Sequence, residues 1–316
     1  MDALVLESHG GPPVPRTLPD PSPGAGRTLV AVRAAALAPL DVLAGSGASY
    51  LGAPALPYVP GVAGVGRVVA SGAHPVGARV HVTTSAGLAP GDGTFAGLVV
   101  VPDDVCVLLG DEVTDDAAVA ALGMSAVAAW HALAVRGRLA AGQRVLVLGA
   151  GGTVGQVAVQ VARHLVGATG RVVAAARSAG ARAAALGLGA DEALDVTAEA
   201  LAAGSGWDVV LDPLGGPPAT AALLGLAVGG RFVHLGSSAG PSFEVSSAAL
   251  RGRAAEVLGH TNALLTGAEI GTALTSALAV PGVRVAHETV PLEQGGDAWR
   301  RQAEGRAPRR QVLVLP

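Results

Sequence analysis

Residues 144–177 constrain the fold most, because they combine two apolar runs with a glycine-rich turn and an amphipathic helix. Residues 144–148 and 171–175 are short and, after an initial arginine, continuously apolar, which is typical of buried parallel strands. From Val154 onward, apolar residues recur at i, i+3, i+4 and i+7, which predicts a helix with one buried face. The order predicts a βαβ unit whose first turn brings backbone N–H groups and a helix N-terminus against a pyrophosphate.

The glycine spacing in the first turn makes it a candidate dinucleotide site. It fits G-x-x-G-x-x-G at Gly149, Gly152 and Gly155 better than the plain G-x-G-x-x-G form. Glycine is abundant here, with 46 residues, so the strand before the turn and the helix after it carry the interpretation. The residues predicted to bind the cofactor are Gly149, Gly151, Gly152, Thr153, Val154 and Gly155.

The end of the second strand indicates which dinucleotide binds. NAD sites place Asp or Glu about 20 residues after the last glycine, where it holds the ribose 2′-OH. Arg177 stands there, with Ser178 beside it and Arg182 nearby, and residues 171–189 hold no carboxylate. A guanidinium beside a hydroxyl suits a 2′-phosphate, so the predicted cofactor is NADPH. The alternative is a solvated arginine at a strand end.

Composition excludes several functional classes. The net charge of −3 gives no reason to expect nucleic acid or an anionic membrane as a partner, and one cysteine, Cys106, excludes an internal disulfide. Residues 117–135 carry no formal charge, but they are rich in alanine and follow an N-cap-like Thr114-Asp115-Asp116, which favours a buried helix over a membrane span. The N-terminus does not resemble a signal peptide. We expect a cytoplasmic protein.

The rest of the chain predicts two kinds of region. Residues 1–115 read as short strands separated by Gly- and Pro-rich turns, with an exposed loop at 10–26. Strands and alanine-rich helices alternate over 116–260, which is the doubly wound pattern. The tail, 261–316, ends in a strand that we expect to return to the β-rich region. The predicted strands of that first region are 3–6, 28–36, 64–70, 79–83 and 97–101.

Two further loops are predicted cofactor contacts, because ligands bind at the carboxyl ends of parallel strands. Pro213 and Leu214 follow the fourth strand of the alternating region, and Gly236, Ser237 and Ser238 follow the fifth. Tight connecting loops need the same residue types, so that alternative stays open.

Several motifs together resemble the medium-chain dehydrogenase/reductase superfamily, in its zinc-free quinone oxidoreductase (zeta-crystallin-like) branch. They span the chain in order: LAPLD (37–41), YVPGVAGVGRVVASG (58–72), DGTFAGLVVVP (92–102), DVVLDPLGG (208–216), GGRFVHLGSSAG (229–240) and ALRGRAAEVLGHTN (249–262). The resemblance implies an α/β fold with a GroES-like β-rich domain (1–115 and 261–316) and a Rossmann doubly wound parallel sheet (116–260). It also implies a nicotinamide cleft, a small-molecule substrate and a homodimer.

The resemblance also implies where zinc ligands would lie. Zinc-dependent relatives have Cys and Gly-His-Glu at places where this chain has Ala38, Val62 and Ala63, and residues 121–124 hold no ligand. We therefore expect no metal.

The resemblance leaves the catalytic group open. Relatives usually carry Asn where Ala38 stands and Thr where Ala128 stands. Tyr50 and Asp41 are the catalytic candidates, although Asp41 could instead close a local turn and Tyr50 could pack in a loop. Ser125 and His131 lie in a helical region, where a structural role is the alternative. The predicted substrate pocket comprises Ala38, Tyr50, Ser125 and Ala128.

Three functions follow from these observations. The first is an NADPH-dependent, zinc-independent reductase that delivers hydride to a quinone or an α,β-unsaturated carbonyl. The second is an enoyl reductase acting on a thioester or polyketide intermediate. The third is a nucleotide-binding protein with lost or weak turnover, which the alanines at 38 and 128 favour.

Overall fold

A computed structural model describes residues 1–48, 52–110 and 114–316. Their Cα atoms group into two compact units. The first comprises Met1–Gly123, Thr266–Thr272 and Val285–Pro316, and the second comprises Met124–Leu265 and Ala273–Arg284. The domain boundaries predicted from the sequence stay a prediction, because a domain is defined by its capacity to fold alone.

The first unit is rich in β-strands. Its strands are β1 (Asp2–Val5), β2 (Val14–Thr17), β3 (Arg27–Ala36), β4 (Ala63–Ala70), β5 (Arg79–Thr83), β6 (Leu98–Pro102), β7 (Cys106–Leu108), β14 (His287–Pro291) and β15 (Arg310–Val314). Seven of them form one sheet in the order β14-β15-β3-β4-β5-β7, with β6 paired to β3. The chain tail therefore returns to this unit through β14 and β15, as predicted. The core includes Leu4, Val30, Phe95 and Trp299.

One prediction for this unit is wrong. Residues 10–26, expected to be an exposed loop, contain β2, which pairs antiparallel with β1. Its four residues, VPRT, include a proline and three exposed positions. A two-stranded pairing of this kind leaves almost no apolar pattern in the sequence, because backbone bonds and one polar contact, from Thr17 Oγ1 to Asp2 (3.2 Å), hold it together.

The second unit holds a six-stranded parallel sheet. Its strands are β8 (Arg144–Leu148), β9 (Arg171–Ala175), β10 (Glu192–Leu194), β11 (Trp207–Asp212), β12 (Leu226–His234) and β13 (Glu256–Gly259). They lie in the order β10-β9-β8-β11-β12-β13, which is the doubly wound order with its switch point between β8 and β11. β8 and β11 are inner strands with a paired strand on each side, and their apolar side chains are fully buried. The predicted α/β class is confirmed.

Nine helices are defined in the described part of the chain: α1 (Pro39–Gly45), α2 (Asp116–Trp130), α3 (Thr153–Val166), α4 (Ala179–Gly187), α5 (Ala198–Ala202), α6 (Gly216–Leu224), α7 (Ser247–Arg253), α8 (Gly267–Leu278) and α9 (Gly295–Ala303). Short 3₁₀ turns cover Asp103–Val105, Asn262–Leu264 and Leu292–Gln294, and a π-helical turn, His131–Arg136, continues α2. Within α2, Gly123 has non-helical angles (φ 26°, ψ −123°), so the helix is kinked there.

The segment Asp116–Arg136 has the length and composition of a membrane-spanning helix. Inside the protein, however, 67% of its most apolar window is buried. That degree of burial is typical of a core helix in a globular protein, as the alanine-rich sequence predicts.

Candidate active site

The glycine turn joins β8 to α3 in a shape that side chains would obstruct. Gly149 has a positive φ of 63°, which favours glycine. A Cβ on Gly155 would lie 2.2 Å from the carbonyl oxygen of Gly149, far inside van der Waals contact. The turn therefore requires glycine at both ends of the spacing that the sequence indicates.

The N-terminus of α3 is open to a ligand. Its N-cap is Gly152, which offers no side chain to accept from the first N–H groups of the helix. Gly151 and Gly152 are exposed, while Thr153 and Val154 are half-buried. The N–H of Gly152 already donates to Gly149 O (2.9 Å) within the turn. The first bond of the helix runs from Gln156 N to Gly152 O (2.9 Å), so the N–H groups of Thr153 and Val154 have no intrahelical acceptor.

The end of β9 carries an unengaged guanidinium. Arg177 is exposed, and no described side chain forms an ion pair or hydrogen bond with its guanidinium. Ser178 is the N-cap of α4, where its Oγ accepts from Ala181 N (3.1 Å) and its O–H stays available to donate. Arg182 is already engaged: one guanidinium nitrogen donates to the carbonyl oxygens of Ala176 and Arg177 (2.9 Å each) and to Asp195 (2.8 Å).

The remaining predicted cofactor residues lie against the glycine turn. A Cβ on Gly149 would meet Pro213 and Leu214 at 3.0 Å, so the two loops are in close contact. Ser238 donates through its hydroxyl to Pro213 O (3.2 Å), and Ala239 N donates to Leu214 O (2.7 Å). The carboxyl ends of β8, β11 and β12 thus form one continuous edge.

Asp212, which no sequence motif singles out as a site residue, holds this edge together. It is fully buried at the end of β11, and its carboxylate accepts from Leu214 N (2.8 Å), from Gly215 N (3.1 Å) and from His234 Nδ1–H (2.7 Å). Because the carboxylate can only accept when ionised, His234 must carry its proton on Nδ1. The signal in the sequence is a carboxylate that closes a buried apolar strand, DVVLD.

Asp41 has a comparable local role in the first unit. It is 2% exposed, and its carboxylate oxygens accept from Ala38 N (2.7 Å) and Val62 N (3.0 Å). Burial raises the pKa of Asp41 to about 6, against the opposing effect of these backbone hydrogen bonds and of nearby Arg310. The alternative that Asp41 closes a local turn therefore describes its contacts, and its catalytic role stays a prediction.

The other predicted pocket residues have small or buried side chains. Ala38 is the N-cap of α1 and is buried, and in the second unit Ser125 and Ala128 are buried along α2. Tyr50 lies outside the described residues. The structure brings Ala38 and Asp41 together in the first unit, and Ser125 and Ala128 share one face of a helix in the second.

The first unit also contains a cavity of about 410 Å³. Its lining includes Pro54, Pro57, Tyr58, Leu88 and Asp92. The Tyr58 hydroxyl is buried without a hydrogen-bond partner among the described residues, and burial raises its pKa to about 12. The phenol is therefore neutral and able to donate, a feature that the sequence pattern does not indicate.

Known proteins place this chain in a family. Residues 24–111 match the family described as "Alcohol dehydrogenase GroES-like domain", and residues 153–266 match "Zinc-binding dehydrogenase". The quinone oxidoreductase of Thermus thermophilus, whose structure was also solved with NADPH, is 30% identical, with a TM-score of 0.80 and 100% coverage of both chains. The chain belongs to the medium-chain dehydrogenase/reductase superfamily.

Curated relatives agree with this membership but align over shorter lengths. A quinone oxidoreductase of Lama guanicoe is 34% identical over 170 residues, which is 52% of this chain and 49% of that protein. A phenolphthiocerol/phthiocerol polyketide synthase of Mycobacterium tuberculosis is 36% identical over 219 residues, 66% of this chain but only 9% of the synthase polypeptide. Both support an oxidoreductase, and the predicted family and GroES-like domain are confirmed.

Zinc, which one family description implies, does not fit the residues of this superfamily member. In residues 1–48, 52–110 and 114–316, no three side chains of His, Cys, Asp or Glu lie close enough to share a metal ion. Ala38, Val62 and Ala63 are buried and offer no donor atom in their side chains. Nothing in the described donor set supports zinc chemistry.

Proposed function

We propose that the protein is an NADPH-dependent, zinc-independent reductase that delivers hydride to a quinone or an α,β-unsaturated carbonyl compound. The proposal rests on one observation: the glycine turn after β8 and the loops after β11 and β12 form a continuous edge at the carboxyl ends of these strands. In a doubly wound sheet, dinucleotides bind across this edge at the switch point, which lies here between β8 and β11.

The residues of the edge fit a dinucleotide. The glycine turn leaves no Cβ between the backbone and a pyrophosphate, and Gly151, Thr153 and Val154 would supply N–H donors at the start of α3. Pro213, Leu214, Gly236, Ser237 and Ser238 would line the nicotinamide half. The nicotinamide, when bound, supplies the hydride.

The preference for NADPH rests on Arg177. Its free guanidinium and the Ser178 O–H can hold a 2′-phosphate by charge-assisted hydrogen bonds, whereas a ribose 2′-OH would leave the charge unmatched. The solved complex of the Thermus relative with NADPH is consistent with this choice. Arg182 contributes indirectly, since its bonds to the carbonyls of Ala176 and Arg177 hold the strand end.

An enoyl reductase acting on a thioester or polyketide intermediate is the second candidate. It is favoured by the polyketide synthase relatives, among them the spectinabilin synthase protein of Streptomyces orinoci at 35% identity over 250 residues. The two candidates share hydride addition to an activated C=C bond and differ in the substrate that the site admits.

We further propose a cytoplasmic homodimer that pairs through β13. This strand is the edge of the six-stranded sheet, and the neighbouring Leu264 is 84% exposed. Light scattering of the purified protein would test this assembly.

A cofactor and substrate panel tests the proposed function. NADPH and NADH affinities would be measured by titration, and NADPH oxidation would be followed with benzoquinones, linear enones and an enoyl thioester. We expect tighter binding of NADPH, turnover with at least one acceptor class, and no loss of rate with a chelator. Tight binding without turnover on any acceptor would instead favour a nucleotide-binding protein, and chelator-sensitive turnover would refute zinc independence.

A further inference from the structure

His260 directly follows β13 and has a protonation state that its neighbours determine. Its Nε2 lies 3.0 Å from Asn262 Oδ1, and the Asn262 amide nitrogen donates to Met124 O (2.9 Å). Since only an amide N–H can bond to a carbonyl oxygen, Asn262 must turn its Oδ1 toward His260. Nε2 therefore carries the proton, and Nδ1 has a free lone pair.

The surroundings hold the His260 ring in place and leave Nδ1 available. The ring stacks on His131, with centroids 4.9 Å apart and planes inclined by 23°. Its backbone N–H donates to His234 O (2.8 Å), which fixes the residue to the end of β12. Nδ1 is not among the buried unpartnered atoms, and no described group bonds to it. Burial of the residue lowers the pKa of His260 to about 4, so the imidazole is a neutral acceptor at neutral pH.

The strand order places His260 toward the nicotinamide half of the proposed nucleotide. Arg177 at the end of β9 would hold the 2′-phosphate, and the glycine turn after β8 would hold the pyrophosphate. The nicotinamide half must then extend the other way, toward β11, β12 and β13. His260 is the first residue after β13 and, as a neutral acceptor, calls for an N–H or O–H donor.

We propose that His260 Nδ1 accepts a hydrogen bond from the carboxamide N–H of the bound nicotinamide and so selects for that group. This inference rests on the proposed function. A side-chain acceptor held by Asn262 and His131 would fix the rotation of the carboxamide, and with it the orientation of the ring. A substrate hydroxyl is the competing donor, and the test below separates the two.

The test compares ligands that differ only at the carboxamide. Dissociation constants of NADP⁺ and of its 3-acetylpyridine analogue, which has a carbonyl but no N–H, would be measured by calorimetry. Adenosine 2′,5′-bisphosphate, which lacks the whole nicotinamide half, is the third ligand. The variants are His260→Phe, which can stack but cannot accept, and His260→Asn, whose amide oxygen can replace Nδ1. His164→Phe, at an exposed position in the last turn of α3, is the matched control.

We expect His260→Phe to bind NADP⁺ about fivefold more weakly, the loss of one neutral hydrogen bond, and to bind the other two ligands as wild type does. His260→Asn should retain part of the preference for NADP⁺. Equal weakening of NADP⁺ and its analogue, or no weakening of either, would overturn the inference while leaving the proposed function intact. Wild-type protein that binds none of the three would refute the proposed function itself. Thermal melting of each variant identifies a folding defect. If His260→Phe has one, the ratio of the affinities for NADP⁺ and its 3-acetylpyridine analogue in His260→Asn tests the inference instead.

Discussion

Asp212 and Asp41 are both buried carboxylates that accept backbone N–H groups, one in each unit. Asp212 accepts from the N–H groups of half-buried Leu214 and buried Gly215, in the loop that follows β11, and it also bonds to His234. Asp41 bonds to Ala38 and Val62, and both residues are themselves buried. In the proposed function, the loop that Asp212 holds borders the nucleotide, whereas Asp41 joins two buried backbone segments of the first unit. The proposed cofactor contacts therefore lie in the second unit, whereas the buried carboxylate of the first unit is bonded internally.

His81 extends the contrast in the first unit. It is fully buried in β5, and neither ring nitrogen has a hydrogen-bond partner among the described residues. At the Gly123 kink a Cβ would lie 3.2 Å from its Nε2, so the ring packs directly against the helix. At the sheet edge of the second unit, by contrast, Asp212 and Ser238 are bonded. A buried imidazole without a partner is costly, and burial lowers the pKa of His81 to about 4.

The largest expected effect lies at the backbone of the glycine turn. Gly155→Ala would place a Cβ 2.2 Å from Gly149 O, and backbone cannot move aside as a side chain can. We expect about 3 kcal/mol or more of lost stability or at least a hundredfold loss of NADPH affinity. Thermal melting and NADPH titration measure the two. Gly180→Ala is the control, since a Cβ there meets nothing within 4 Å. If Gly155→Ala keeps both its stability and its NADPH affinity, the contrast between the two units fails, because the glycine turn would not depend on its backbone shape.

The next effect tests the isolated imidazole of the first unit. Between pH 6.5 and about 4, the unfolded chain protonates His81 and the folded chain does not. The unfolded state then binds more protons, so stability falls as pH falls through this window, by about 3 kcal/mol in all. His81→Leu should remove this part of the acid sensitivity, measured as the free energy of unfolding in urea at several pH values.

The quantity to compare across pH is the difference in the free energy of unfolding between wild type and His81→Leu, because other groups also titrate in this range. Asp41 acts in the opposite sense, because its pKa is raised to about 6 and the folded state binds the extra proton between pH 3.8 and 6. His260 acts in the same sense as His81. His164→Leu, at an exposed position, should leave the pH profile unchanged. A His81→Leu profile parallel to wild type would show that the buried ring has a partner.

A smaller effect concerns the charge of Arg177 at the end of β9. Arg177→Ala should weaken NADPH binding ten- to a hundredfold and leave NADH nearly unaffected, because a charge-assisted hydrogen bond contributes roughly 1.5–3 kcal/mol. The loss should shrink at higher salt, since the site is exposed. The measurement is the ratio of NADPH to NADH affinity at one ionic strength. Arg171→Ala, at the other end of β9 and paired with Glu192, is the matched control. An unchanged ratio would make Arg177 a solvated strand-end residue.

The sequence predicts the second unit better than the first for a physical reason. Buried parallel strands such as β8 need continuous apolar runs, and a turn that approaches a phosphate needs glycine, so both leave marks in composition. The pairing of β1 with β2 depends on backbone groups and one polar side-chain contact, and it leaves no such mark. The three-residue strand β10 escapes prediction for a similar reason, since its residues are only half-buried.

The candidate site shows the same division. The glycines, Arg177 and the loop at Pro213 are predictable from spacing and from strand ends. The roles of Asp212 and His260 are not, because they depend on which distant group accepts or donates, as the Asn262 amide does for His260. Such partners become visible only when the chain is folded. Tyr50, a catalytic candidate, falls outside the described residues, so its role stays a prediction.

The smallest expected effect comes from restoring a polar side chain where the first unit has alanine. Ala38 is the N-cap of α1, with extended angles (φ −94°, ψ 151°) and no side-chain cap. Asparagine is a preferred N-cap, so Ala38→Asn should stabilise the protein by about 0.5–1 kcal/mol. If an amide here also polarises the acceptor carbonyl, turnover should rise by a few fold, and further with Ala128→Thr.

Ala38→Ser separates these two effects, because serine can cap the helix without offering an amide donor. Both variants should melt higher than wild type, and only the asparagine variant should gain rate at saturating NADPH. If both gain equally, the benefit is a better helix start, and position 38 has no part in the chemistry. If the asparagine variant is folded and slower, the alanine is fitted to a substrate that needs its small volume. The first unit would then discriminate between substrates by shape at position 38.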